Sequence, residues 1–100
     1  MMITIARTGV TMPGKVGEVI PIAKEIAAIV KRLGGRDLQV GTPIGGNFAE
    51  IAWIGQYDSY AQFEEVAVRC AGDPEYRACL KKLETLLVPG TARDQIWRHV

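Results

Sequence analysis

Few side chains in this sequence can carry chemistry, and their types limit what that chemistry is. His99 is the single histidine. Its ordinary pKa lies near neutrality, so base catalysis would draw on it. It is also the penultimate residue, where chains fray, which favours a solvated or interface-edge histidine. Arg7 continues the face of Ile3 and Ile5 in a β-branched run. If that face meets helices, its guanidinium would reach a cavity mouth and hold a carboxylate or carbonyl oxygen; otherwise it is a surface arginine. Trp53 lies in the middle of an apolar run and either floors a ligand cavity or fills the core. Trp97 shares a strand face with Arg93, Gln95 and His99, a row that suits a polar pocket or a seam between sheets. Tyr57, Tyr60 and Tyr76 offer hydroxyls that can orient a ligand, although packing with a wet tip explains them equally well.

Several chemistries are absent from the pattern. Cys70 and Cys79 are the only cysteines, and with one histidine they cannot build a zinc site of two cysteines and two histidines. They read as small buried hydrophobes with free thiols. Gly34-Gly35 and Gly45-Gly46 lack the spacing of a phosphate-binding loop. No Ser-His-Asp or Cys-His arrangement has supporting local context. No catalytic residue is assigned, and neither a metal nor a cofactor is expected.

The elements that must position these residues follow from hydrophobic period and punctuation. Ile3 to Thr8 reads as the first strand. Thr11-Met12-Pro13-Gly14 predicts a helix start, with Thr11 or Met12 near the cap. Val16, Val19, Ile20, Ala23, Ile26, Ala27, Val30 and Leu33 then recur at helical spacing. Pro21 interrupts that stripe and predicts a kink or a loose first turn. Gly34-Gly35 stops the helix. Arg36 to Thr42 reads as a second strand, Pro43 to Gly46 as a hairpin turn, and Asn47 to Gly55 as a third strand. That third strand is apolar on both faces, with Phe48, Ala52 and Ile54 opposing Ala49, Ile51 and Trp53, which suits a central position covered on both sides. Asp58 is expected to cap a helix carrying Tyr60, Phe63, Val66, Ala67 and Cys70 on one stripe. Asp73-Pro74 restarts a second helix with Tyr76, Cys79, Leu80, Leu83 and Leu87. Thr91 to Val100 is a final alternating strand.

The resulting order predicts an α+β domain over residues 1–100, a ferredoxin-like βαββαβ antiparallel sheet with its helices on one face. The uncovered sheet face would still carry large apolar residues, from Phe48 or Trp53 according to register. Such a face favours self-association as a two-fold homodimer. A length of 100 residues suits one domain. The 48% hydrophobic and 23% charged composition is that of an ordinary globular chain. The net charge of +1 provides no strong field for nucleic acid or an anionic membrane. No apolar run approaches the roughly 18 residues of a membrane span. Met1 to Thr4 lacks a basic n-region followed by an apolar stretch, so a cytoplasmic protein is expected.

The element order, Pro13-Gly14-Lys15 at the first helix start, the turn Trp53-Ile-Gly-Gln-Tyr57-Asp58-Ser59, and Asp73-Pro74-Glu75-Tyr76 together resemble the dimeric α/β-barrel superfamily, and within it the NIPSNAP-like branch. The resemblance covers most of the chain. It implies that two sheets pair into a shared barrel and that each protomer holds a cavity between helices and sheet. That superfamily includes cofactor-independent monooxygenases, haem-degrading enzymes, isomerases, cyclases and small-molecule sensors, and fold does not choose among them. Its monooxygenase and haem-degrading branches typically carry a histidine in the helix after strand three. Ser59 to Ala71 contains none. Two functions therefore stand: a homodimer binding a small aromatic molecule in an apolar pocket, or a cofactor-independent monooxygenase or isomerase acting on a small aromatic or polyketide-like substrate. The ligand-contact candidates are Arg7, Trp53, Tyr57, Tyr60, Arg93, Trp97 and His99.

Overall fold

The computed structural model describes all 100 residues. The elements run β1 (Ile3–Val10), α1 (Val16–Arg32), β2 (Gln39–Gly41), β3 (Glu50–Tyr57), α2 (Tyr60–Gly72), α3 (Pro74–Leu83) and β4 (Arg93–Arg98). The four strands form one sheet in the order β2-β3-β1-β4 with every pairing antiparallel. This is the expected α+β, ferredoxin-like arrangement.

Register decides which face is which. Across β1 and β3, Ile3 opposes Tyr57, Ile5 opposes Gly55, Arg7 opposes Trp53 and Gly9 opposes Ile51. Directly opposed residues share a sheet face, and most of these are buried with the helix residues Val19, Ala23, Ile26, Val66, Cys79 and Leu83. All three helices therefore back one face. The other face carries Thr4, Ala6, Thr8, Ala52 and Ile54, joined from β4 by Arg93, Gln95 and Trp97. Of the two residues considered for that free face, Trp53 points inward. Phe48 precedes β3 and stands 71% exposed in the hairpin. There Asn47 performs turn chemistry, its Oδ1 accepting from the Ala49 N–H at 3.0 Å.

Local punctuation mostly holds, with three shifts. The stop after α1 is a Schellman motif: the Gly35 N–H donates to the Val30 carbonyl and the Gly34 N–H to that of Lys31, with Gly34 at φ +92°. Asp73 accepts from the Tyr76 N–H at 2.9 Å and caps α3, with Pro74 in its first turn. The first shift concerns Thr11. It is no helix cap but a buried extension of β1 whose Oγ1 donates to the Ala49 carbonyl at 2.7 Å. The helix consequently begins only at Val16, after a turn containing Pro13, with no side-chain cap. Second, α2 is capped by Ser59 rather than Asp58. The Ser59 Oγ accepts from the Gln62 N–H at 3.1 Å, and Gln62 Oε1 accepts in return from the Asp58 N–H at 2.7 Å. This is close to a capping box, and it leaves Asp58 free to pair with Arg36. Third, α1 runs unbroken through Pro21. Pro21 and Gly17 are both exposed, so the Gly17 carbonyl that loses its helical donor can bond water.

Candidate functional site

Between the inner sheet face and the helices lies a cavity of about 810 Å³. Its floor is Ile5, Arg7 and Gly9 of β1 with Trp53 and Tyr57 of β3. Its walls come from Phe63, Val66 and Cys70 of α2 and Tyr76, Leu80 and Leu83 of α3. Leu38 reaches over the floor, and a Cβ at Gly55 would collide with it. The remaining side opens past Ala92, Arg93 and Asp94 at the start of β4, a strand whose residues are all exposed. Sixteen of the 22 lining residues are apolar. Size and lining are those of small-molecule sites, which usually span about 300–1,000 Å³.

Trp53 serves both core and cavity. It is 8% exposed, and its Nε1–H donates to the Ala23 carbonyl of α1 at 3.1 Å, which fixes the ring while one side lines the cavity. Tyr57 is buried and meets Phe63 edge-on, with ring centroids 5.4 Å apart. These contacts hold the aromatic side chains against the helices.

Arg7 is held by a partner the sequence did not suggest. Its Nε and Nη2 donate to the two carboxylate oxygens of Asp94, the residue opposite on β4, at 2.7 and 2.8 Å. This fork-to-fork hydrogen bonding raises the Arg7 pKa further and holds the Asp94 carboxyl below the ordinary carboxylate range. Burial raises the Tyr57, Tyr76 and Cys70 pKa values. The hydroxyls and the thiol are thus neutral at neutral pH, while the one carboxylate is ionised and paired.

The candidate residues divide between the two sheet faces. Arg7, Trp53 and Tyr57 share the cavity floor; Arg93 borders the cavity on the edge strand, but its register with Thr8 turns its side chain to the helix-free face. Tyr60, expected on the buried stripe of α2, is 51% exposed and borders a separate hollow with Met1, Ile3 and Ile96. Trp97 lies on the opposite sheet face, 59% exposed. His99 is not frayed: its N–H donates to the Met2 carbonyl, and its Nε2 lies 2.6 Å from Thr4 Oγ1. Thr4 pairs with Trp97, so this histidine also belongs to the helix-free side. Asp94 and Arg77 complete the lining without having been singled out. Alternation along β4 puts Asp94 on the face of Ile96, but only the pairing with β1 sets it opposite Arg7. Cys70 and Cys79 are buried free thiols.

No protein-family model matches the chain, and no curated protein sequence does. Solved structures do match over its full length. A NIPSNAP family protein from Agrobacterium tumefaciens aligns with TM-score 0.81 at 21% identity, covering 100% of this chain and 94% of that one. An uncharacterised NIPSNAP domain protein from Burkholderia xenovorans gives 0.81 at 20%, covering 100% and 95%. A conserved protein from Methanosarcina mazei gives 0.77 at 15%, covering 100% and 94%. The resemblance read from the turn and helix motifs is therefore a resemblance of the whole backbone, and this chain has the fold of the NIPSNAP-family structures.

Proposed function

We propose that this chain is a small-molecule-binding protein that takes a compact, largely apolar ligand between its helices and sheet and works as a cytoplasmic homodimer paired through the helix-free sheet face. The cavity carries the reading: about 810 Å³, mostly apolar, floored by rigid aromatic side chains and open at one side. An aromatic ligand suits the edges and faces of Trp53, Tyr57, Phe63 and Tyr76. Binding has firmer support than turnover. General-base chemistry needs an ionisable group free to take a proton near neutral pH, whereas Asp94 is locked to Arg7 and burial keeps Tyr57, Tyr76 and Cys70 protonated.

Support for the dimer comes from surface. The chain exposes 6319 Å², against about 5,600 Å² for a typical folded monomer of its 10.9 kDa mass. The difference, roughly 700 Å², approaches the ~800 Å² that each partner gives to a standard interface. Ile54 and Trp97, 40% and 59% exposed, stand on the face that no helix covers. Free buried thiols suit a reducing compartment, and no helix is long and apolar enough to cross a membrane.

A thermal-shift series of aromatic acids, quinols and haem tests the pocket, with a dose-dependent rise in melting temperature expected for at least one aromatic compound. No shift from any compound at millimolar concentration would count against binding here. Light scattering tests the assembly. The expected result is a dimer that Trp97→Glu converts to monomer, and a wild-type monomer at micromolar concentration would refute it.

A further inference from the structure

The charged groups around the cavity are unequally distributed. Its lining includes three arginines, Arg7, Arg77 and Arg93, and one carboxylate, Asp94, in a chain whose total charge is only +1. Asp94 and Arg7 cancel each other in their bidentate pair. Arg77 and Arg93 take part in none of the ion pairs of the chain. The register of Arg93 with Thr8 turns its side chain to the helix-free face, so the apolar chamber ends in one uncommitted guanidinium, that of Arg77 on α3.

We propose that the cavity selects aromatic carboxylic acids, with the ring system packed over Trp53 and Tyr57 and the carboxylate held at the rim by Arg77. The assignment rests on the small-molecule reading above and specifies its ligand class. Guanidinium forks match carboxylate geometry and recognise it better than a point charge would. At the rim the carboxylate keeps part of its hydration, which avoids the large cost of burying an ion. Arg7 is the wrong anchor despite its place on the floor. A carboxylate approaching it would have to displace Asp94 from two short hydrogen bonds, or lie beside that like charge. The pair instead closes the floor as a neutral unit and directs the anion outward.

The test compares two ligands of one shape by titration calorimetry: 2-naphthoate and its uncharged relative 2-acetylnaphthalene. Naphthoate should bind about tenfold more tightly, the size of one partly exposed charge-assisted hydrogen bond. The advantage should shrink as salt rises. Arg77→Gln, at an exposed position, should weaken naphthoate while leaving acetylnaphthalene unchanged, and Arg93→Gln, on the helix-free face, should change neither. The paired substitution Arg7→Gln with Asp94→Asn serves as the contrast: it replaces one neutral unit with another, and naphthoate should weaken less than with Arg77→Gln. Equal binding of the two compounds to the wild type, or an Arg77→Gln variant that changes neither, would overturn the carboxylate assignment and leave the pocket reading intact. Binding of neither compound to the wild type would overturn both.

Discussion

Replacing Trp53 with phenylalanine tests the central assignment of the site, that this ring faces the helices. Two losses combine. The indole N–H donates to the Ala23 carbonyl at 3.1 Å, and a hydrogen bond of that kind contributes about 1 kcal/mol net. The carbonyl belongs to a residue inside α1, where the helix supplies its own donor, so no orphaned acceptor adds to the cost. Phenylalanine also removes part of a side chain that is only 8% exposed, roughly a third of the ~3–5 kcal/mol expected for Trp→Ala in a core. The sum is about 2 kcal/mol, which lowers the melting temperature by roughly 8–16 °C in a domain of this size. Thermal melts followed by far-UV circular dichroism, with urea titration to confirm an unchanged m-value, measure it. Trp97→Phe is the internal contrast. On the opposite face and 59% exposed in the single chain, it should cost less than about 0.5 kcal/mol at dilutions where the chain is monomeric. It should cost more only as pairing buries it, whereas the Trp53 cost is independent of concentration. If the two variants exchanged their effects, the register that turns Trp53 inward would be wrong, and the cavity floor with it.

Further expectations concern the turns and the charges. Gly35→Ala brings a Cβ within 2.5 Å of the Val30 carbonyl oxygen and 2.8 Å of Val30 Cγ1. It should cost about 1–3 kcal/mol by denaturant melt, whereas Gly45→Ala, with open space around it, should not destabilise. Ser59→Ala should lose about 1 kcal/mol of capping and Asp58→Ala less, since Ser59 is the residue that accepts from the Gln62 N–H. The pH profile follows from direction alone. The Asp94 carboxyl sits low because of Arg7, so its stabilisation is complete above the unfolded value near pH 4 and is lost as pH falls through the folded one. Asp94→Asn should flatten that acid limb. Burial raises Tyr57, Tyr76 and Cys70. The unfolded chain therefore releases those protons first, and stability should decline above about pH 9.

The element order was legible because its punctuation is local. Gly34-Gly35 ends α1 through backbone bonds within one turn, and Asp73-Pro74 restarts the chain within three residues. The inward stripe of α1 was legible as period, although Ile29, 4% exposed, was missed because the helix buries a wider arc than the stripe assumed. What the sequence withheld depends on pairing between distant segments. β3 is apolar on both faces, so alternation could not say whether Trp53 or Ile54 turns inward; the register with Ile5 and Arg7 does. Thr11 looks like a cap because threonine caps helices, yet its hydroxyl is taken by Ala49, 38 residues away. Asp58 and Ser59 are both good caps by type, and the choice falls on the one whose oxygen reaches the Gln62 N–H. Asp94 becomes a site residue only when β4 lies beside β1.

The two faces of the sheet make separable demands on one set of strands. On β1, alternate residues serve different ends: Ile5 and Arg7 form the cavity floor, while Thr4, Ala6 and Thr8 face away from the helices with Trp97 and Arg93. On β3, Ile51, Trp53 and Tyr57 are buried under the helices, while Ala52 and Ile54 look outward. A ligand over Trp53 therefore touches none of the side chains proposed to meet a second copy, and a rim substitution on α3 need not disturb assembly. The edge strand has the same double use. Arg93 and Asp94 lie side by side on β4, Arg93 in register with Thr8 on the outer face and Asp94 with Arg7 on the inner one. Coupling between binding and pairing can therefore pass through the backbone of any of these strands. Arg77 and Arg93 consequently report different things. Loss of Arg77, on α3, changes binding alone, and loss of Arg93, beside Trp97 on the helix-free face, bears on pairing.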